Sequence, residues 1–413
     1  MRVLVVSPYV PYPPRAGGQV RIWNLAKQLA KRHTLDLLAF AESQEEQQRG
    51  PLLKPVFQEA TLIRRRPTVK AVNLWRGFPA RAHEMVCAEM EQALGETLAS
   101  RKYDVVQLDY TEMAHYADVV GGRAKVSLTE QDVGSAAALR WARSAPSAWA
   151  RWRGLMNAAR MLAYEVHYCE RVDRVITVSQ HDADLLASYA PRARVVNVPI
   201  GVAVEDVRCR AELPAAPGVL FLGYMRHPPN PQGLVYLWRQ VMPLVAEQMP
   251  QVHLRVVGEG CEWGMENYKR GAYAKLIGDQ RVTVVGAVED LEGEFARNRI
   301  MAAPVLSGSG VRVKILTALA GGIPVVSTTL GVEGLLGRAG EHYLIGDTPE
   351  KFAECTLRLL RDDDLCRALA VAGRRLVEEH YDWRVIGEQL ERIYLEMIGP
   401  PPPPKRTTGG QLP

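Results

Sequence analysis

The sequence predicts an α/β protein of two Rossmann-like, doubly wound domains. Three observations predict it: the length, the alternation of short apolar runs with helix-spaced segments, and a glycine-rich loop ahead of a helix in each half. The 413 residues exceed what one core usually covers, since compact domains commonly hold about 100–200 residues. With 47% hydrophobic and 23% charged residues the chain has an ordinary globular composition and can build a large core. The net charge of +5, from 51 basic and 46 acidic residues, allows an anionic ligand but falls short of a nucleic-acid-binding composition. Cys87, Cys169, Cys209, Cys261, Cys355 and Cys366 show no C-x-x-C or His–Cys metal spacing, and are expected as buried thiols in a reducing cytosol. The opening MRVLVVSPYV lacks the length and cleavage site of a signal peptide, and no segment supplies 18 uninterrupted apolar residues, so neither export nor a membrane span is expected.

Val3–Val6 is a fully apolar run, Val20–Leu29 has helical spacing and Leu35–Phe40 returns to a strand, so the chain opens β-α-β. Apolar runs at Val105–Leu108, Val126–Leu128 and Val175–Val178 alternate with helical stretches at Glu84–Leu98 and Leu155–Val172. Such alternation implies a parallel sheet covered on both faces. Val198 to Gly218 loses periodicity and carries three prolines and two glycines, a linker composition. Beyond it, strands are predicted at Val219–Leu222, His253–Val257, Val282–Val285, Met301–Pro304 and Pro324–Ser327, with helices including Leu234–Gln248 and Val311–Leu319. From Glu350 the pattern is purely helical, ending with Asp382–Met397. The expected organisation is a first domain over 1–200, a linker over 201–217, a second domain over 218–380, a last helix over 381–398 and an extended or disordered proline-rich tail over 399–413.

The most informative stretch is SGSGVRVKILTALAGGIPVVSTTLGVEGL, Ser307 to Leu335, where a glycine-rich loop runs into a helix expected near Val311. Gly308 and Gly310 let backbone approach a ligand closely, the first N–H groups of a helix point outward, and its dipole favours negative charge. Arg312 and Lys314 add two charges, so a departing diphosphate would meet preorganised electrostatics. The alternative is a glycine turn with two solvated basic residues. The loop after the first strand, SPYVPYPPRAGGQVR, places Gly17-Gly18 before a helix expected at Gln19 or Val20, where an open α/β sheet receives ligands. A simple turn is the equal alternative there. His115, His167, His181, His227 and His253 show no metal spacing, and neither G-x-S-x-G nor a Walker loop occurs.

With these motifs the chain resembles the retaining glycosyltransferases of the GT-B fold, family 4-like, and most of all bacterial sugar transferases of exopolysaccharide gene clusters. FLGYMRHPPN (Phe221–Asn230), LRVVGEG (Leu254–Gly260), VTVVGAVEDL (Val282–Leu291) and YDWRVIGEQLERIY (Tyr381–Tyr394) carry the resemblance beside the long stretch above. It implies two Rossmann-like domains with an interdomain cleft and a last helix that crosses back onto the first. It further implies a metal-independent, retaining transfer from a nucleotide sugar, which is a co-substrate, with no cofactor. The acceptor would be a glycan, a lipid-linked or a small molecule. Gly17 and Gly18 would lie against the donor phosphates, Arg312 and Lys314 on the diphosphate, backbone of Gly286 to Val288 at the base, and Ser307, Gly308, Ser309 and Gly310 in the donor loop. Glu333 falls in the region that contacts ribose and diphosphate in relatives, with a helix-start role as the equal alternative.

Two positions depart from the family. Relatives usually carry a glutamate at Thr317, the second acid of a Glu-x7-Glu pattern whose first position here is Ser309; losing that charge-assisted bond to ribose removes about 1.5–3 kcal/mol. Where relatives show a histidine on the donor sugar, LTEQDVGS has Gln131, which hydrogen-bonds but does not titrate. A front-face transfer needs no carboxylate nucleophile, so an active enzyme is favoured over a catalytically silent scaffold that binds a nucleotide or partner; a sugar-nucleotide epimerase, lacking an assembled acid–histidine set, comes last. RWARSAPSAWARWRGLM (Arg140–Met156) and LIRRRPTVKAVNLWRGFPARAHEM (Leu62–Met85) suit anionic lipid headgroups or a lipid-linked acceptor, or form a solvated face with tryptophans packed inward. Of the two, the inward arrangement is the expected one. The expected location is cytoplasmic, at the inner face of the membrane if those segments touch lipid, and no nucleic-acid partner is expected.

Overall fold

The computed structural model describes residues 1–14, 17–65, 77–143, 145, 147–308 and 311–399. The chain divides into two compact units: one holds Met1–Val198 and resumes at Gly387, the other holds Pro199–Ile386.

The first unit is built on an all-parallel sheet of β1 (Arg2–Ser7), β2 (Thr34–Ala41), β3 (Glu59–Arg64), β4 (Val105–Asp109), β5 (Lys125–Glu130), β6 (Arg174–Thr177) and β7 (Val195–Asn197), ordered β3-β2-β1-β4-β5-β6-β7. Parallel neighbours need crossover connections, whose helices bury both faces, and the central strands are therefore near-continuous apolar runs. Val3 sits opposite Leu35 on one side and Val105 on the other. The order reverses between β1 and β4, so the loops leaving those two strands diverge to opposite faces, the place where open α/β sheets take ligands. The second unit repeats the plan with β8 (Gly218–Leu222), β9 (His253–Val257), β10 (Val282–Gly286), β11 (Ile300–Ala303), β12 (Val325–Ser327) and β13 (Leu344–Ile345), ordered β10-β9-β8-β11-β12-β13. Its reversal lies between β8 and β11.

Several local expectations change. The helix expected over Glu84–Leu98 is two helices, Ala80–Met85 and Ala88–Ser100, because Cys87 is extended at φ −147°, ψ 121°. The helix over Leu234–Gln248 carries a π-helical turn at Leu237–Val241; Pro243, just beyond, has no N–H to donate to the preceding turn. Residues 199–217 are tied to the second unit: the Val202 N–H donates to the Tyr381 carbonyl at 2.8 Å, and the Arg210 guanidinium donates to the Asn298 and Arg299 carbonyls at 2.9 and 3.0 Å. Cys209 is exposed, whereas the other five cysteines are buried free thiols.

The last helix, Trp383–Ile398, counts with the first unit from Gly387 on. The Tyr394 hydroxyl donates to Gln107 Oε1 at 2.6 Å, and Glu391 accepts from Arg32 at 2.8 Å and pairs with His33 at 2.7 Å. Close approach is permitted by Gly387, where a Cβ would lie 2.5 Å from that of Gln28. The proline-rich tail from Pro400 lies outside the described residues.

Candidate functional site

In the second unit, glycines let the loops leaving adjacent strands crowd together. Gly223, after β8, donates its N–H to the Val257 carbonyl at 3.0 Å, and Gly258, after β9, donates to the Gly286 carbonyl at 2.7 Å. Gly258 holds φ +139°, and a Cβ there would collide with the Gly223 carbonyl oxygen, so no other residue fits.

The cationic residues gather at the β8/β11 reversal. Lys314 is the second residue of the helix Val313–Ala320. Its Nζ donates to Asn230 Oδ1 at 2.8 Å and lies 5.2 Å from the centre of the Phe221 ring. The Asn230 amide is oriented by donating to the Tyr224 carbonyl at 2.8 Å. Lys314 is half-buried, and burial, then the charge of Arg312, pull its pKa down to about 8. His227 is lowered as well, by burial and then by Arg312 and Lys314, so all three basic groups feel one another. A neutral amide is a weak counterpart for an ammonium, and such a cluster at a helix N-terminus is suited to a multivalent anion.

Arg312 is the N-cap, at φ −87°, ψ 88°, and the helix starts at Val313, so Arg312 stands outside the first turn in which the sequence placed it. Gly308 has φ +105°, and a Cβ there would lie 3.6 Å from an Arg312 guanidinium nitrogen. The Ser307 hydroxyl donates to Gln232 Oε1 at 2.6 Å. Ser309 and Gly310 lie outside the described residues. The Thr317 hydroxyl donates to the Val313 carbonyl at 3.0 Å, one turn back in its own helix. Gly286 and half-buried Val288 lie at the end of the edge strand β10. Glu333 is exposed in a turn after β12, not at a helix start. Asn230, His227 and Phe221 were not assigned to the site from the sequence, although all three lie in the FLGYMRHPPN stretch that carries the resemblance and His227 was weighed only as a metal ligand.

In the first unit the helix begins at Gly17 itself. Gly17 has open space around it, but a Cβ on Gly18 would collide with the hydroxyls of Tyr9 and Tyr110. The two rings meet edge to face at 5.2 Å. Tyr110, directly after β4, is left-handed at φ 73°, a conformation that a non-glycine side chain adopts only under the constraint of its surroundings. Gly18 therefore fits tyrosines closely, whatever else approaches it. Gln131, directly after β5, has a buried Nε2 with no hydrogen-bond partner among the described residues.

Buried polar groups underlie these loops. Arg21 is fully buried and lowered to about 10 by desolvation, near Asp109, which burial raises to about 7; the Gln107 amide donates to Asp109 at 2.8 Å. Glu130, immediately before Gln131, accepts from the Thr111 hydroxyl. Burial and then the neighbouring Glu165 carboxyl push Glu130 well above the usual range. Glu165 is raised by burial too, and accepts from the Ser135 N–H and the Tyr189 hydroxyl, both at 3.1 Å. The tryptophans expected to pack inward do not: Trp141, Trp149 and Trp152 are exposed. Of the other Arg/Trp segment, residues 66–76 lie outside the described residues. Among the described residues no helix is long and apolar enough to cross a membrane.

Two family models match the chain: "Glycosyltransferase Family 4" over residues 15–206 and "Glycosyl transferases group 1" over residues 216–362. An uncharacterized 44.6 kDa protein in the cps region of Klebsiella pneumoniae is 27% identical over 40% of this chain and 42% of its own length. Phosphatidyl-myo-inositol mannosyltransferase of Mycobacterium leprae is 29% identical over 48% of this chain and 53% of its own. The alignments thus span about half the length of these curated relatives. Among solved structures, sucrose-phosphate synthase from Thermosynechococcus elongatus superposes with a TM-score of 0.70 at 18% identity, covering 96% of this chain and 99% of that one. Anabaena HepE, solved with UDP and glucose, gives 0.66 at 15%, covering 95% and 99%. At these identities the structural likeness establishes the fold.

Proposed function

Starting from a chain that belongs to the GT-B glycosyltransferases, we propose that it moves a hexosyl group from a nucleotide sugar to a glycan, lipid-linked or small-molecule acceptor, retaining the anomeric configuration without a metal. The observation that carries this reading is Lys314 at a helix N-terminus, held by the neutral amide of Asn230 and neighboured by Arg312 at the N-cap. A diphosphate placed there would exchange that amide for its own oxygens and keep both cations as its charge grows on leaving. Ser307, Gly308, Ser309 and Gly310 would form the loop over the phosphates, Gly286 and Val288 would approach the base, and Thr317 and Glu333 the ribose side; in the first unit, Gly17, Gly18 and Gln131 are the residues that the family resemblance assigns to the donor. A cytoplasmic place of action accompanies this reading.

The test is a thermal-shift panel of UDP-, GDP-, dTDP- and ADP-sugars, followed by transfer assays with the sugar that stabilises the protein. Binding to the native state raises the melting temperature. No shift at millimolar concentration in a folded protein removes the reading's main support. Product anomer by NMR tests retention, and full activity in a chelator tests metal independence. Thr317, whose hydroxyl is engaged by its own helix, and Gln131 favour a second reading, a scaffold that binds a nucleotide without transfer; it is sustained if nucleotides bind and no donor is hydrolysed or transferred.

A further inference from the structure

The helices Gly134–Arg143 and Ala148–Cys169 sort their side chains against the usual pattern. They touch through small residues: a Cβ on Gly154 would lie 2.7 Å from that of Ala142 and 3.0 Å from the Trp141 ring. The large apolar side chains face outward, with Trp141 at 59%, Trp149 at 64% and Trp152 at 53% exposure, and Leu155 and Met156 beside them. Trp149 and Trp152 stack on each other at 5.0 Å and 15°. The same face runs on into a groove of about 790 Å³ lined by Leu162, Ala163 and Val166 and, at its far end, by Glu170, which is ion-paired with Arg192. Contiguous apolar surface of this kind marks an interaction site rather than scatter.

Charge identifies the partner. From Gly134 to Tyr164 the sequence has Arg140, Arg143, Arg151, Arg153 and Arg160 and no aspartate or glutamate; all five arginines are exposed. A second copy docked on this face would set arginine against arginine with no acid in the segment to offset them. An anionic bilayer offers what both features need: headgroup phosphates for guanidinium groups and an interfacial layer in which tryptophan rings settle. We infer that this helical hairpin is a docking face for the surface of an anionic phospholipid bilayer. It deepens the proposed place of action by naming the surface that meets the membrane, and it can be tested without turnover.

The test is co-sedimentation with vesicles of phosphatidylcholine alone and of phosphatidylcholine with phosphatidylglycerol. The expected result is binding to the mixed vesicles, weakened by salt. Trp149→Ser with Trp152→Ser should lower the partition coefficient roughly tenfold or more, and Arg151→Glu with Arg153→Glu at least as much. Melting curves show whether each variant is folded; if the tryptophan pair destabilises the unit, the arginine pair carries the test. No binding by folded wild type, equal binding to phosphatidylcholine alone, or wild-type binding by both variants overturns the inference. So does a wild-type dimer, by light scattering, that the tryptophan variant dissolves, since the face would then join two copies. Nucleoside-diphosphate binding, measured in parallel, reads the second unit, so a failed vesicle assay leaves the transferase reading to its own test.

Discussion

Replacing Lys314 with methionine removes the ammonium and keeps most of the stem, which isolates the charge. If a diphosphate displaces Asn230 Oδ1 from the ammonium, the lost charge-assisted bond is worth about 1.5–3 kcal/mol, a roughly 10- to 150-fold weaker Kd. Because burial and Arg312 hold Lys314 at about 8, it is about nine-tenths charged at pH 7 and about one-tenth at pH 9. A bound anion favours the charged form, so binding above pH 8 should take up a proton, and wild-type affinity should fall by up to about tenfold per unit beyond that pH. The methionine variant should bind weakly and show no such fall. Isothermal titration of one nucleoside diphosphate across this window, in buffers of different ionisation enthalpy, measures both quantities. With a turnover assay, kcat should fall further than affinity, since charge on the leaving group grows in the transition state. A wild-type Kd flat across the window, with the variant within about twofold of it, refutes the placement of the phosphates at Lys314.

Gly18→Ala would ordinarily stabilise a helix by about 1 kcal/mol, but the two tyrosine hydroxyls occupy the Cβ position, so the expected change is a loss of about 1–3 kcal/mol, partly restored by Tyr110→Phe; thermal melts decide. Glu130 has a folded pKa raised above its ordinary 4.5 by burial and by Glu165, so its stabilisation is full at pH below that value and is lost as pH rises toward the folded pKa. Glu130→Gln should therefore raise the melting temperature at pH 8 and leave it unchanged at pH 4, and a uniform shift at both would exclude the titration. Tyr394→Phe should cost about 1–3 kcal/mol, because the buried Gln107 oxygen loses its donor; urea unfolding measures this. Thr317→Glu should tighten nucleoside-diphosphate binding by at most about 1.5–3 kcal/mol, less the desolvation of the new carboxylate. Weaker binding by the variant would mean the ribose is held differently here.

The central strands were legible because burial on both faces demands unbroken apolar runs, as in Val3–Val6 and Val219–Leu222. Of the four edge strands only Val282–Gly286 was, as an apolar run; Glu59–Arg64 is half exposed and carries charge, and Val195–Asn197 with three residues and Leu344–Ile345 with two are too short for a period to emerge. Both glycine loops were visible, since glycine before a helical pattern is a local signal. Their surroundings were not, because Lys314 meets Asn230 across 84 residues of sequence, and Gly18 meets Tyr110 only once β1 and β4 are side by side. Spacing in Arg140–Met156 disclosed an aromatic stripe, but periodicity alone does not say which stripe faces inward. That depended on how closely Gly154 could approach Ala142.

The second unit interrupts the first, which stops at Val198 and resumes at Gly387. During synthesis the ribosome therefore releases the whole of the second unit before the first can receive its closing helix. Until then Gln107 waits without the hydroxyl of Tyr394 and His33 without Glu391, so the first unit is held open while its neighbour can already fold. A protease that clipped the chain ahead of Gly387 would accordingly injure the half of the molecule farthest away in sequence and spare the half beside the cut.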